Sequence, residues 1–429
     1  MKGFPLTQRF APMKLQTILP ASLSRRRATS RRPAADVPER LDVLYFGNDW
    51  SADNRTSSHH IAMRLASQCR LVYVECPGLR APGGSKRDAG KLVRKLAACA
   101  RGPRDSGAGF PVATLLQLPF HRFRSVRALN RLLARSAVRG LMKRYGLRNP
   151  VVHMAVPHLS HLIGRVGERA AVYYCVDDYS AIPGVNVEAV LAMDDEATRK
   201  SDLVFVVSET LLRAKQAANP NTRLSPHGVD ASHFAAARRP GPVPADIADL
   251  RGPVVGYFGL VEEWMDWEMV DWMAGRRPHW QFVMIGRVGV PQERLPVRPN
   301  LHFLGRRPYP DLPAYGRRFD AAIIPSRLDH RFAQHASPLK LREYLAMGVP
   351  VVAAATPENR KFADVADMAE TRDQFLAHLD RAVGRPIRPA DAERRIARVA
   401  DQSWEARADA VLAAVRNVHA AKGTRGEHR

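Results

Sequence analysis

The chain is poor in cysteine and in long apolar runs. These two features argue against metal- or disulfide-stabilised proteins and against membrane-spanning proteins. Its four cysteines are spread over 429 residues, with no Cys-x-x-Cys pair and no histidine partners at zinc-ligand spacing, which argues against a zinc centre or a disulfide framework. Free thiols in a reducing compartment are expected instead. No apolar run approaches the roughly 20 residues that a membrane-spanning helix needs, so the sequence predicts no transmembrane segment.

Acidic residues are also scarce, since 42 Asp and Glu stand against 66 Lys and Arg and leave a formal net charge of +24. Such a positive potential attracts nucleic acid and anionic lipid alike. Aromatic residues make up only 7% of the chain, none interleaves with the basic runs, and no helix-turn-helix, zinc-finger, RRM or KH signature is present. We expect no nucleic-acid partner and favour peripheral contact with an anionic membrane leaflet.

Residues 1–40 have the composition of a disordered basic leader, with nine Lys or Arg and only Asp36 and Glu39 as acids. The apolar stretch 15–23 is short and interrupted by Pro20, which argues against a secretory signal. An organellar transit peptide, a membrane-touching tail and an over-long start assignment remain as alternatives.

From Leu41 onward, short β-rich apolar runs alternate with helical patterns, which is typical of βαβ units and a parallel sheet. Strands are predicted at 41–46, 70–75, 112–118, 151–155, 171–176 and 203–207, and in a second series at 253–258, 281–285, 301–304, 320–324 and 349–353. A Gly-, Arg- and Ser-rich stretch at 80–109 is predicted to be a surface insertion, and helices are predicted at 358–382 and 391–421.

A Pro-rich stretch at 235–244 separates the two strand series and gives the best domain boundary. The sequence therefore predicts an α/β protein with two doubly wound parallel-sheet domains that face a cleft. We place the first domain at 41–234, a linker at 235–250, the second domain at 251–390, and at 391–429 a helix with a tail.

The most informative segment is SPLKLREYLAMGVPVVA at 337–353, which combines a Pro at a helix start, a short helix, a Gly that can end it, and a buried strand. Lys340 and Glu343 are three residues apart and share a helix face. A helix N-terminus favours phosphate, so a sugar nucleotide would suit this segment, with its diphosphate at Lys340 and a sugar diol at Glu343. The alternative is an ordinary surface helix with an ion pair.

Segments across the chain, in this order, resemble retaining GT-B glycosyltransferases of family 4. In the C-terminal half they are PVVGYFG at 253–259, WQFVMIG at 280–286, NLHFLG at 300–305, FDAAIIPS at 319–326 and the run at 337–353. In the N-terminal half they are LDVLYFG at 41–47, RLVYVE at 70–75, VYYCVDD at 172–178, SDLVFVVS at 201–208 and PHGVD at 226–230, and these are similar to bacterial polysaccharide-building members of the teichuronic-acid type. The resemblance covers about residues 41 to 410.

The resemblance implies two Rossmann-like domains, with the final helix crossing back onto the first, and a donor site in the second domain. Gly259 follows a strand and lets the backbone approach a phosphate, although a plain turn glycine is the alternative. The donor-binding candidates are Gly259, Arg287, Ser337, Lys340 and Glu343.

Two departures from the family pattern bear on this site. Members carry a second Glu eight positions before the one that matches Glu343, and this chain has His335 there. Members also place an Arg and a Lys after the Gly that matches Gly259, whereas this chain has LVEE at 260–263. The diphosphate would then rely on Lys340, helix amides and Arg287.

The acceptor side is expected in the loop 48–60, where Trp50 offers a flat apolar face for a sugar and Arg55 a partner for an acceptor phosphate. A solvated loop is the alternative. Asp177 ends a strand and is the candidate base, and His158 and His335 are further catalytic candidates. The resemblance implies that His158 lies near the anomeric carbon of the donor and that His335 can form a hydrogen bond with a hydroxyl of the transferred sugar. His153 is an alternative to His158, and one of the two is expected to be structural. GT-B enzymes work without bound metal, so no metal ligands and no cofactor are expected.

The resemblance thus implies a cytoplasmic, metal-independent enzyme of the hexosyltransferase type. It would transfer a sugar from a nucleotide diphosphate sugar to a glycan or lipid-linked acceptor in cell-surface or exopolysaccharide biosynthesis. Two alternatives remain open at this point. One is a GT-B sugar-nucleotide 2-epimerase, which needs no acceptor, and the other is a catalytically degenerate scaffold in polysaccharide assembly.

Overall fold

The computed structural model describes residues 40–52, 55–76, 97–116, 124–182 and 184–426. The predicted leader, apart from Arg40, and the part of the predicted insertion at 80–96 lie outside these residues. The described insertion residues include the short strand Arg104–Asp105.

The first sheet has eight strands in the order β3-β4-β2-β1-β5-β6-β7-β8. Its strands are β1 Asp42–Gly47, β2 Arg70–Glu75, β3 Arg104–Asp105, β4 Pro111–Thr114, β5 Val151–Met154, β6 Ala170–Cys175, β7 Leu203–Val206 and β8 Thr222–Leu224. All neighbouring pairs are parallel except β3 with β4. The helices among and after these strands are α1 Ser57–Gln68, α2 Arg124–Tyr145, α3 Val187–Lys200, α4 Glu209–Gln216 and α5 Ala231–Phe234.

The second sheet has six strands, all parallel, in the order β11-β10-β9-β12-β13-β14. They are β9 Val254–Phe258, β10 Gln281–Ile285, β11 Leu301–Gly305, β12 Ala321–Ile324, β13 Val351–Ala354 and β14 Asp367–Ala369. The helices of this part are α6 Ala245–Ala248, α7 Trp267–Arg276, α8 Leu312–Gly316, α9 Arg331–His335, α10 Leu339–Met347, α11 Pro357–Arg360, α12 Arg372–Val383, α13 Pro389–Ala397 and α14 Trp404–Gly426.

The central strands are buried along their whole length, which explains their continuous apolar sequence. Even Asp42 at the start of β1 is buried, and its carboxylate accepts two hydrogen bonds from Arg70, each 2.7 Å long. The expectation of two parallel sheets is confirmed. Every predicted strand is present, although β4 ends at Thr114 rather than at 118.

The prediction of one helix over 358–382 is wrong. Thr356 caps the one-turn helix α11, the chain then forms β14 beside β13, and Thr371 caps α12. The three residues of β14 are too few to show a period. The predicted helix 391–421 is likewise divided into α13 and α14. In the intervening loop the Gln402 carbonyl accepts from the backbone N–H of Val229 at 2.7 Å.

Helix α14 packs on the first sheet rather than on the second. Trp404, Ala408 and Leu412 join the core around α1, while Val411 and Val415 join the neighbouring core of the first half, which contains Tyr174 and Phe205. Two polar contacts to α1 fix the alignment, from Arg64 to Glu405 at 2.8 Å and from Gln68 to Asp409 at 2.6 Å. Residues late in the sequence therefore complete the core of the first half.

The PHGVD segment supports this packing. The Asp230 carboxylate caps α5 by accepting from the backbone N–H of His233 at 3.1 Å. Gly228 matters for its small size, because a Cβ at this position would lie 2.7 Å from Cδ2 of Trp404.

Candidate functional site

Two glycines bring neighbouring loops into contact at the C-terminal edge of the second sheet. Gly259 follows β9 with φ +144° and Gly286 follows β10 with φ +151°. A Cβ on Gly286 would lie 1.7 Å from the Gly259 carbonyl oxygen. In an open parallel sheet this edge is where ligands bind, and the glycines leave its backbone uncovered.

We expect Gly286→Ala to disturb this edge strongly, because the new methyl group can be accommodated only if the Gly259 loop moves. The variant should unfold at a lower temperature than the parent and should lose nucleotide-sugar binding. Gly305→Ala is the matched control, since Gly305 also has a positive φ but a Cβ there would meet no atom within 4 Å. If both variants lower the melting temperature equally, the cause is backbone strain alone and the close packing of the two loops is irrelevant.

Lys340 lies against Gly259. A Cβ on Gly259 would be 2.6 Å from Cε of Lys340 and 3.0 Å from Nζ, and Nζ lies 5.0 Å from the centre of the Tyr257 ring. Lys340 is in the first turn of α10, whose N-cap residue is Pro338 and whose first amides receive no side-chain cap from the described residues. Gly348 ends the helix with φ +75°. The ammonium group and the helix amides thus share one end of α10 with Gly259, as the spacing predicts.

Glu343 is one turn further along α10 and is half-buried. Burial raises the pKa of its carboxyl to about 7, against the opposing effect of Lys340. Burial raises the pKa of the Tyr309 phenol, and the negative charge of the Glu343 carboxylate raises it further. Among the described residues the buried Tyr309 hydroxyl has no hydrogen-bond partner.

Tyr309 is a site residue that the sequence did not reveal, since a single tyrosine after β11 carries no motif signal. Its ring stacks on His233 with centroids 4.7 Å apart. It also lies 5.9 Å from the ring of His60 on α1, so it belongs to the space between the two sheets.

Ser337 and Arg287 have other partners in this structure. Ser337 is buried, and its hydroxyl accepts from Nη1 of Arg342 at 3.2 Å. Arg342 is itself buried, which lowers the pKa of its guanidinium to about 10. The exposed Arg287 donates to Oε1 of the buried Glu262 at 3.1 Å. Arg287 thus already has a carboxylate partner, and Lys340 is the cation that the structure places directly at Gly259.

A cluster of polar groups crosses from one sheet to the other. Asp178, which follows β6, accepts from Nε of Arg331 at 3.0 Å and contacts Nδ1 of His335 at 2.8 Å. Ser180 donates to the same carboxylate, and its hydroxyl also accepts from Arg331 at 3.1 Å. These contacts hold the pKa of Asp178 below its usual range, although burial opposes them. We call Asp178, Ser180, Arg331 and His335 the cross-cleft cluster.

Asp177 and His158 lie on the first-sheet side of the cleft. Asp177 directly precedes Asp178 and is half-buried, and burial, with Asp178 as a second cause, raises the pKa of its carboxyl to about 7. His158 is half-buried in the 3-10 turn Pro157–Leu162 that follows β5. His153 instead lies inside β5, stacked on Tyr45 at 4.5 Å, which is a structural position.

The two acceptor candidates are packed against each other. Trp50 is buried, with its backbone N–H donating to Glu75 at 2.8 Å and its indole Nε1 donating to the Ser106 carbonyl at 3.0 Å. The Arg55 guanidinium lies 5.2 Å from the centre of its ring. Trp50 is therefore a core residue that anchors the loop and is not an open platform for a sugar, whereas Arg55 is exposed.

Within the part of the chain that the structure describes, no group of three or more His, Cys, Asp or Glu side chains is placed to hold a metal ion. In the same part, none of the helices is both long and apolar enough to cross a bilayer.

Sequence comparison finds a known type of domain in the part of the chain that contains the second sheet. Residues 252–380 match the family model described as glycosyl transferases group 1. Over 139 residues the chain is 29% identical to TuaH of Bacillus subtilis (strain 168), a protein named for glycosyl transfer in teichuronic acid biosynthesis. That match covers 32% of this chain and spans about a third, 34%, of the length of TuaH.

Solved structures resemble nearly the whole chain. Sucrose-phosphate synthase from Thermosynechococcus elongatus superposes with a TM-score of 0.66 at 16% identity, covering 89% of this chain and all of that one. Anabaena HepE in complex with UDP and glucose gives a TM-score of 0.60 at 15% identity, covering 88% and 99% of the two chains. The GT-B fold expected from the sequence is thereby confirmed.

Proposed function

We propose that this protein is a cytoplasmic glycosyltransferase that moves a sugar from a nucleotide diphosphate sugar to a glycan or lipid-linked acceptor in cell-surface or exopolysaccharide assembly. The observation that carries the proposal is the position of Lys340 against Gly259, with Glu343 one turn further along the same short helix. The group 1 match over residues 252–380 and the similarity to TuaH support the same class of reaction.

The chemistry follows from where charge develops. When the bond between the anomeric carbon and the diphosphate breaks, negative charge grows on the departing phosphate oxygen. We place the diphosphate beside Gly259, where Lys340 and the uncapped amides of α10 stabilise the departing diphosphate more than the intact donor. Glu343 contributes to binding of the intact donor, because its carboxylate can accept hydrogen bonds from the two ribose hydroxyls.

The acceptor hydroxyl approaches from the first sheet. Asp177, with a pKa near 7, is partly ionised at neutral pH and can accept the hydroxyl proton as the new glycosidic bond forms. In the cross-cleft cluster, Nδ1 of His335 is engaged by Asp178, which leaves the other ring nitrogen to meet a sugar hydroxyl. We propose retention of configuration, with hexose as the transferred sugar and no bound metal or other cofactor.

The test is a panel of UDP- and GDP-hexoses offered to the full-length protein, first alone and then with lipid-linked or oligosaccharide acceptors. We expect one donor to bind measurably by calorimetry, to be hydrolysed slowly alone, and to be consumed quickly with the right acceptor, giving a product with the anomeric configuration of the donor. Conversion of the donor into its epimer without acceptor would show an epimerase, and failure to bind any donor would contradict the proposal.

A further inference from the structure

Helix α2 is basic along its whole length. Its sequence RSVRALNRLLARSAVRGLMKRY contains seven Arg or Lys and no Asp or Glu. Ala134, Val138 and Leu141 pack into the core of the first half. The buried side of α2 is thus mostly apolar, with Asn130 as a buried polar residue, whereas Arg131, Arg139, Lys143 and Arg144 are exposed.

The solvent-facing stripe of α2 is apolar at one end and cationic at the other. Steps of three and four residues place six exposed positions along it, and these are Ser125, Leu129, Leu132, Ser136, Arg139 and Lys143. Leu129 is 44% exposed and Leu132 is 65% exposed, and Leu116 beyond the end of β4 is 38% exposed. Exposed leucines on a helix rich in cations are a pattern of interfacial helices.

The position of this stripe in the fold is also informative. Helix α2 lies between β4 and β5, so it begins at the C-terminal edge of the first sheet, the edge that bears Asp177 and His158. Helix α3 begins at the same edge after β6, and its first turns expose Val187 and Leu191 by 47% and 46%. Exposed apolar side chains therefore occur in the N-terminal halves of two helices that follow strands of this sheet.

We propose that the exposed stripe of α2 docks on an anionic lipid bilayer, with Leu129 and Leu132 in the acyl boundary and Arg139 and Lys143 at the lipid phosphates. Charge complementarity selects an anionic surface, because the whole helix lacks acids. The two exposed leucines favour a bilayer over a nucleic acid, because a phosphate backbone has no apolar region in which they could be buried. This docking does not depend on the proposed sugar transfer.

The experiment is sedimentation of the full-length protein with phosphatidylcholine vesicles that contain 0% or 30% phosphatidylglycerol, at low and high salt. We expect binding only to the anionic vesicles and weaker binding at high salt. Leu129→Ser/Leu132→Ser and Arg139→Glu/Lys143→Glu should each lower the partition coefficient roughly tenfold or more.

The control variant has the same change in net charge as Arg139→Glu/Lys143→Glu, but the substitutions lie outside α2. Arg385→Glu/Arg388→Glu removes two exposed cations near the start of α13 and should bind nearly like the parent. Circular dichroism and melting temperatures confirm that each variant is folded. The proposal is overturned if the control loses as much binding as the α2 variants, if the leucine variant binds normally, or if the stripe binds RNA while vesicles do not sediment it.

Discussion

Lys340→Ala is expected to lower kcat/KM for the preferred nucleotide sugar by about 100- to 1000-fold, the range seen when one preorganised charge donor is removed from a reaction centre. The reason is local, since Nζ of Lys340 lies 3.0 Å from the position of a Cβ on Gly259, where the backbone is open to a phosphate. Most of the loss should appear in kcat, because the negative charge on the departing diphosphate is greatest in the transition state. Steady-state kinetics with the donor identified from the panel measure it.

Two further variants make the result specific. Lys340→Arg keeps the charge and should retain part of the activity, although its planar guanidinium is larger than the ammonium group that it replaces. Lys200→Ala removes a lysine that pairs with Glu196 on the surface of α3, and it should leave kinetics unchanged. An alanine variant at 340 with parental kcat/KM would remove the observation on which the proposed function stands.

The second large effect is expected at Glu343. Glu343→Gln keeps the size of the side chain but removes the charged acceptor for the ribose hydroxyls, so donor affinity should fall about 10- to 100-fold, as expected for one or two charge-assisted hydrogen bonds. In the parent, donor affinity should rise with pH as the carboxyl ionises around its pKa of about 7. In the Gln variant that rise should be absent. Calorimetric titrations between pH 5.5 and 8.5 measure both.

The same substitution should stabilise the free protein at high pH. The carboxyl has a pKa of about 7 when folded and an ordinary value of 4.5, so between these values the folded state binds more protons than the unfolded state. The contribution of Glu343 to stability therefore falls as pH rises from 4.5 to 7 and then stays low. Glu343→Gln should melt above the parent at pH 8, with the difference shrinking toward pH 4.5. A lower melting temperature at pH 8 would contradict this assignment of the carboxyl.

The parts of this molecule that sequence reasoning anticipated are those with local causes. Helix α10 could be predicted because Pro338, the Lys340 and Glu343 spacing and Gly348 all lie within eleven residues. The strands of both sheets could be predicted because parallel strands covered on both faces must be apolar throughout. The order of these segments led to the GT-B fold, which the structural comparisons confirm.

The parts that were missed depend on contacts between distant residues. Asp178 and His335 are 157 residues apart, so no sequence window contains the cross-cleft cluster. The ring of Trp50 was predicted to face a sugar, but the residue is fixed in the core, since its indole N–H donates to the Ser106 carbonyl and its backbone N–H donates to Glu75. The strand β14 is too short to show a period, and it exists because β13 offers it a free edge.

Helix α14 has a consequence for how the protein is made. The first sheet is synthesised early, yet part of its apolar surface is covered by Trp404, Val411 and Val415. During translation all strands of the second sheet are synthesised before helix α14, which covers the first sheet. Domains usually complete their folding in the order of synthesis, and here the first domain cannot complete its core until the second has been made. A chain truncated before Trp404 would thus leave the hydrophobic core of the N-terminal half incomplete.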